Sequence, residues 1–257
     1  MNKKYLWLIM GLVPILLFWF IAGPIRQDLA YHNFADKRHF CGVPNSFDVL
    51  SNIPFIFTTL LGLFIILKKD YPRLASHNYY IIYFISVSFV GLGSGYYHWN
   101  PNSTTLIWDR GPMTVSFMTF CSLILSERGY PRLAKQIFWP LLIGGILSVI
   151  YWAATDDLRP YALVQFYPLM CLPFVLIKLK GPGTKWLWYA LIFYILAKVF
   201  EHFDKQIFSI LGEQLSGHSI KHLSSAVSTF MIALKLIYQE KLPVKESEIE
   251  EDFSHVS

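Results

Sequence analysis

The chain has 257 residues, 54% apolar and only 15% charged, with a mean hydropathy of +0.41. Soluble domains carry about 25% charged residues, so an ordinary water-soluble domain is excluded. The formal charge of +5 does not indicate a nucleic-acid partner, because the Lys and Arg residues lie in short loops beside apolar runs, and the three cysteines (Cys41, Cys121 and Cys171) make no disulfide framework.

Apolar runs of about 20 residues are long enough to cross a bilayer as helices. Eight candidate spans follow in chain order, over residues 5–23, 48–67, 79–98, 108–126, 137–154, 160–178, 186–209 and 217–238. The first is too long and too aromatic for a cleaved signal peptide, and no small-residue cleavage site follows Gly23, so it is expected to be retained. Pro54, Pro140, Pro168 and Pro173 fall in or near spans, where proline is tolerated. Gly91, Gly93 and Gly95 suit close helix packing. Tyr96, Tyr97, Trp99, Trp108, Tyr151, Trp152, Trp186 and Trp188 are expected to form interfacial belts.

Lysine and arginine crowd one set of span ends, including Lys68, Arg128, Arg132, Lys135, Lys178 and Lys185. The opposite set carries fewer, among them Arg26, Lys37, Arg38, Arg110, Arg159 and Lys205. Cytoplasmic loops are the basic ones, so both termini are predicted cytoplasmic. The tail from Lys245, with its acidic stretch from Glu248 to Asp252, reads as a solvated end. The predicted organisation is an N-terminal helix and loop over 1–30, a membrane core over 31–240 and an acidic tail over 241–257.

Ionisable residues inside a span are costly and therefore candidates for function. His98 ends the third span and Asp109 begins the fourth, Glu201, His202 and Asp204 lie in the seventh, and His218, Lys221 and His222 begin the eighth. The topology brings His98, Asp109, His218, His222 and Ser94 to one depth, on the outer face. His218 and His222 are four residues apart, so both project from one helix face, about 5–6 Å apart at Cβ. With His98 they would give zinc three ligands and leave a fourth position for water, the arrangement of catalytic sites. Asp109 could then move the water's proton to a leaving amine, and Ser94 could donate to a carbonyl oxygen.

Other readings of these residues stand beside this one. A lone histidine in a span can simply be packed and hydrogen-bonded, Asp109 can pair with Arg110, and Ser94 can bond back to its own helix. His32, His39, His77 and His255 are expected to be solvated, and His202 beside Glu201 to be part of a polar face. The His218 and His222 pair does not follow the HExxH pattern, since Gly217-His218-Ser219-Ile220-Lys221-His222 has no glutamate after the first histidine.

Several segments resemble a known family. Tyr97-His98, Trp108-Asp109-Arg110 with Pro112-Met113, Leu158-Arg159-Pro160-Tyr161, Val164-Gln165-Phe166, and Ser216-Gly217-His218 with Lys221-His222 are similar to the alkaline ceramidases. These belong to a wider superfamily of seven-helix membrane hydrolases that includes adiponectin-type receptors. Phe34-Ala35-Asp36, Pro44-Asn45 and Asp48-Val49-Leu50-Ser51-Asn52 fit the bacterial branch. The resemblance runs from about Tyr31 to Ile237. It implies an all-α fold of seven core helices, with the first span as an addition. It also implies a zinc amidase that cleaves the N-acyl bond of ceramide or a related lipid, with His98, His218 and His222 as ligands, Asp109 as general acid/base and Ser94 as the carbonyl-polarising residue.

Animal members of that family carry calcium just before the first core helix. Here the corresponding loop offers Asp36, Asn45 and Asp48, diluted by Lys37, Arg38 and His39, whereas calcium takes six to eight oxygens. Alternatively, Asp36 and Arg38 order the loop as a lid, and Asn45 and Asp48 cap the second helix. Two other functions remain open: a receptor-like lipid-binding protein with a structural zinc closed by a fourth protein ligand, and a cation transporter. The latter would spread its polar residues through the membrane depth.

Overall fold

The computed structural model describes residues 13, 16, 17, 19–68, 71, 74–179 and 181–240. Most of the first predicted span and all of the tail over 241–257 lie outside the described residues. Helices α1 (Ser46–Leu50) and α2 (Ile53–Ile66) form the first long segment, followed by α3 (His77–Trp99) and α4 (Ser103–Glu127). Next come α5 (Pro131–Thr155), α6 (Arg159–Lys178), α7 (Thr184–His202), α8 (Asp204–Ile210) and α9 (Gly217–Glu240). The fold is all-α. Among the described residues the only β feature is an isolated bridge between Phe40 and Val43.

Five segments are long and apolar enough to cross a membrane: Ser46–Ile66, α3, α5, α6 and α9. The bent pair α7–α8 makes a sixth. The α4 helix is as long as α5 but polar for much of its length, with Thr105, Asp109, Arg110, Thr114, Ser116, Thr119 and Ser122 all buried. The large exposed side chains are apolar, including Phe57, Phe64, Trp139, Phe174 and Ile177. That reversal of the soluble pattern suits contact with lipid, and the chain is a multi-pass membrane protein.

Sequence-predicted ends shift for local reasons. The fourth span begins at Ser103 instead of 108 because Asn102 accepts from the backbone of Thr104 and Thr105, while the Thr105 hydroxyl accepts from the Asn102 backbone. That capping box satisfies amides left unpaired at the helix start. Pro131 and Pro160 open α5 and α6 in the first turn, where a missing N–H costs nothing. The seventh span does not run straight to 209: it ends at His202, and α8 leaves it at 81°.

Gly93 fixes the spacing of α3 and α4. A Cβ there would lie 2.0 Å from the Trp108 carbonyl oxygen, so only glycine admits this approach, and the residue after Trp108 is Asp109. Gly91 packs in the same way against Phe55 and Asn52, as expected of small residues at helix contacts. The main apolar core lies further along the bundle, built on Phe55, Phe84, Leu123, Leu187, Ile232 and Leu236.

Of the expected belt residues, Tyr96, Trp99, Trp108 and Tyr151 are exposed. Tyr97 and Trp152 are instead buried, in a cluster with Phe34, Leu106 and Tyr161. The reason is Arg110, whose guanidinium sits 4.1 Å from the Trp152 ring centroid and 4.7 Å from that of Tyr161.

Candidate metal centre

Two helices bring His98, His218 and His222 together. His98 comes from the last turn of α3, and the other two come from the first turns of α9. All three are buried, and one nitrogen from each lies within 4.8 Å of the others. The ring centroids form a nearly equilateral triangle with sides of 4.7, 4.8 and 4.8 Å. The Nε2 atoms of His98 and His218 are 3.2 Å apart, close to the edge of about 3.3 Å expected between nitrogens about 2.0–2.1 Å from a tetrahedral zinc.

The entry into α9 is tightly held. Asp48 accepts from the hydroxyls of Ser216 and Ser219, at 3.0 and 2.6 Å, and Ser216 accepts from the Ser219 backbone as the cap. Asp204 accepts from the His218 amide at 2.8 Å and, through its other oxygen, from the Ala35 amide at 2.9 Å. The carboxylate at the α7–α8 bend thus fixes both the helix that carries two histidines and the loop above them. Gly217 lets α9 start here, since a Cβ would meet the Phe200 carbonyl at 2.4 Å.

One imidazole has its tautomer set by its neighbours. The Ser51 hydroxyl donates to the Asp48 carbonyl oxygen at 3.1 Å, so its oxygen accepts from His222 Nδ1 at 2.8 Å. With the proton on Nδ1, the Nε2 lone pair faces the other two histidines, which is the state a metal ligand needs. The donor set therefore fits zinc: three neutral-capable imidazoles, and among the described residues no fourth His, Cys, Asp or Glu in the group.

A loop closes the site on one side. The Phe34 ring packs 4.6 Å from His98 and 4.3 Å from His218 between centroids. His32 bonds Tyr97 Oη at 2.8 Å through Nδ1 and Ser103 Oγ at 3.2 Å through Nε2, instead of standing free in solvent. Burial, and then the nearby Arg110 guanidinium, lower its pKa below the usual histidine value. Tyr31 donates to Glu201 at 3.2 Å.

On the other side the site opens into a cavity of about 140 Å³. Of the triad, His222 lines it, together with Ser94, Asp109 and Lys221, and Tyr83, Val87, Leu172, Leu191 and Ile232 continue it as an apolar slot. Ser94 Oγ lies 3.4 Å from His222 Nε2. Arg110 does not pair with Asp109: its Nη2 donates to Gln27 at 2.7 Å and its guanidinium is boxed by aromatic rings. The structure thus brings together all five residues expected from sequence.

The residues considered for calcium do not form an oxygen cage. Asp36 is taken by Arg38, through Nε at 2.9 Å and Nη2 at 2.5 Å. Asp48 is turned to the two serines, and the Asn45 amide nitrogen donates to the His98 carbonyl at 2.8 Å. The alternative of a loop ordered by Asp36 and Arg38 matches this geometry. Asn45 makes no side-chain cap.

Some polar partners escaped the sequence reading. Lys198 and Lys235 lie inside predicted spans, where the cost of a buried charge already marks them. Lys235 is fully buried and paired with Glu127, at the end of the bundle away from the histidines. Ser51 and Phe34 carried no such mark.

A family model described as Ceramidase matches residues 38–180, more than half of the chain. No curated protein matches it.

Proposed function

The chain belongs to the ceramidase family, and from that premise we propose that it is a zinc-dependent membrane amidase that cleaves the N-acyl bond of ceramide or a related lipid. The observation that carries this reading is a single wall: a buried histidine triad reaches an apolar cavity through His222, and the one carboxylate lining that cavity is Asp109. The matched family supports lipid-amide hydrolysis. The open, three-histidine donor set favours a catalytic over a structural metal.

His98, His218 and His222 would hold the zinc. Bound there, zinc supplies a Lewis acid that lowers the pKa of a water and polarises a carbonyl. The apolar slot takes the acyl chain: along α3, Ser94 to Tyr83 spans about 16 Å at a rise of about 1.5 Å per residue. Ser94 donates a hydrogen bond to the scissile carbonyl oxygen. Asp109 accepts a proton from the attacking water and returns it to the leaving nitrogen. Phe34 and its loop exclude bulk water from one side.

The basic residues Lys68, Arg128, Arg132, Lys135, Lys178 and Lys185 belong to the end away from the triad. By the positive-inside rule this puts the site at the outer face and the described C-terminal end of α9 in the cytoplasm. Residues 31–240 form the seven-helix core in this reading, and the segment over 1–30 is an addition to it.

The test uses purified full-length protein in detergent. It is expected to hold one zinc per chain and to release fatty acid from ceramide. Asp109→Asn is expected to keep the zinc and lose about 10²- to 10⁴-fold in turnover. Full activity in Asp109→Asn would overturn the mechanism, and an active protein without metal would overturn the centre.

A further inference from the structure

Lys221 is a partly buried cation that the roles above leave unused. It lines the cavity, where it is the one cationic side chain as Asp109 is the one carboxylate. Its Nζ lies 3.3 Å from His218 Nε2 and 3.5 Å from His222 Nε2, so it reaches the spot on which the triad converges.

Neutralising Glu201 does not account for it. Glu201 already pairs with Lys198 at 2.7 Å through one oxygen. Its other oxygen is shared between the Tyr31 hydroxyl at 3.2 Å and Lys221 at 3.4 Å. Glu201 is thus shared by two lysines, and a lysine ammonium has three donors to place. A charged side chain at membrane depth is costly and marks a functional candidate, and this one lies on the cavity wall with Asp109.

We propose that Lys221, oriented by Glu201, is a carboxylate-binding group that holds the fatty acid formed in the cavity. This rests on the amidase reading. In that reaction the carbonyl carbon–nitrogen bond breaks and a water adds its oxygen to the carbon. Both of the water's protons end on nitrogen, so a neutral amide becomes a carboxylate and an ammonium. The one cation and the one carboxylate of the lining match the two products in charge, Lys221 facing the acid and Asp109 the amine. Lys221 therefore governs the retention and release of the acid product.

The experiment measures binding of a labelled C16 fatty acid and of the matched C16 alcohol to wild type, Lys221→Met and Lys221→Arg, with zinc content and ceramide turnover recorded for each. Lys221→Met is expected to weaken acid binding by about tenfold or more and leave alcohol binding unchanged. Lys221→Arg is expected to keep the preference. Equal acid binding in Lys221→Met, or equal loss of acid and alcohol, would overturn the proposal. So would a wild type that does not prefer the acid. Lys221→Gln is read in the same way if the methionine variant does not fold. Wild-type turnover separates the two levels: an active enzyme whose acid binding ignores Lys221 defeats this proposal alone, and an inactive one defeats the amidase reading beneath it.

Discussion

The hydroxyl of Ser51 stands 2.8 Å from Nδ1 of His222, and its one proton is committed to the Asp48 carbonyl. The serine therefore acts only as an acceptor toward the imidazole, keeping the proton on Nδ1 and the lone pair of Nε2 toward His98 and His218. Removing it frees the ring to rotate or to change tautomer. Ser51→Ala is expected to weaken zinc binding by about 10- to 100-fold, the usual effect of losing such a supporting bond. Ser51→Thr, which keeps the hydroxyl, is expected to stay near wild type. Competition against a graded chelator reads this directly, and equal zinc affinity in Ser51→Ala would defeat the tautomer argument.

The contact of Gly93 with the Trp108 carbonyl makes a second prediction. An added Cβ would stand 2.0 Å from backbone oxygen, and backbone yields less readily than a side chain. Gly93→Ala is expected to lower the Tm and, because Asp109 follows Trp108, to reduce turnover as well. Gly144→Ala in α5 is the control, since nothing lies within 4 Å of its Cβ. It removes an unfavourable helix residue, worth about 1 kcal/mol in a helix interior, and is expected to be neutral or stabilising. Equal Tm values for the two variants would refute the packing argument.

How much of this could be read from the residues alone depended on range. The i,i+4 spacing of His218 and His222 is a local pattern, and alternation of spans was enough to bring His98, Asp109 and Ser94 to the same depth. Ser94 and Asp109 share a cavity wall with His222, which groups with His98, in agreement with that reasoning. Ser51 was illegible because its role depends on a contact 171 positions away, and its own surroundings are those of any serine at a helix break. Phe34 is similarly silent, being one apolar residue in a polar loop. The bend after His202 has no proline to announce it, and arises where Asp204 serves two distant amides. Arg38 was visible as a neighbour of Asp36, but only the fold shows its guanidinium claiming both carboxylate oxygens.

The His32 contact to Tyr97 predicts a pH effect. The folded-state pKa of His32 is lowered, first by burial and then by Arg110, so protonation favours the unfolded chain. Its contribution is fully present above the unfolded value near 6.5 and is lost as pH falls below that. The wild-type Tm is expected to fall between pH 7 and about pH 5 by more than that of His32→Asn. Parallel Tm curves for the two proteins would show that His32 does not carry the effect.

Lys235 and Glu127 make the last test, at the end of the bundle away from the histidines. Lys235 Nζ lies 2.6 Å from both Glu127 oxygens and 2.7 Å from the Tyr80 hydroxyl, and it is fully buried. Gln239 Nε2 donates to the same carboxylate at 3.0 Å. The cluster ties α3, α4 and α9 together beside the apolar core that Phe84, Leu123, Ile232 and Leu236 build between them. Glu127→Gln leaves a buried ammonium without its counter-charge and is expected to cost about 3–5 kcal/mol. Replacing both partners, as Glu127→Leu with Lys235→Met, removes the stranded charge and is expected to recover most of that loss. Denaturant unfolding in detergent micelles measures all three proteins. A double variant as unstable as Glu127→Gln would mean that the pair stabilises the bundle by more than mutual neutralisation. Because none of the four cluster residues lines the cavity, the double variant is also expected to keep its zinc, which separates this stability role from the chemistry at the other end.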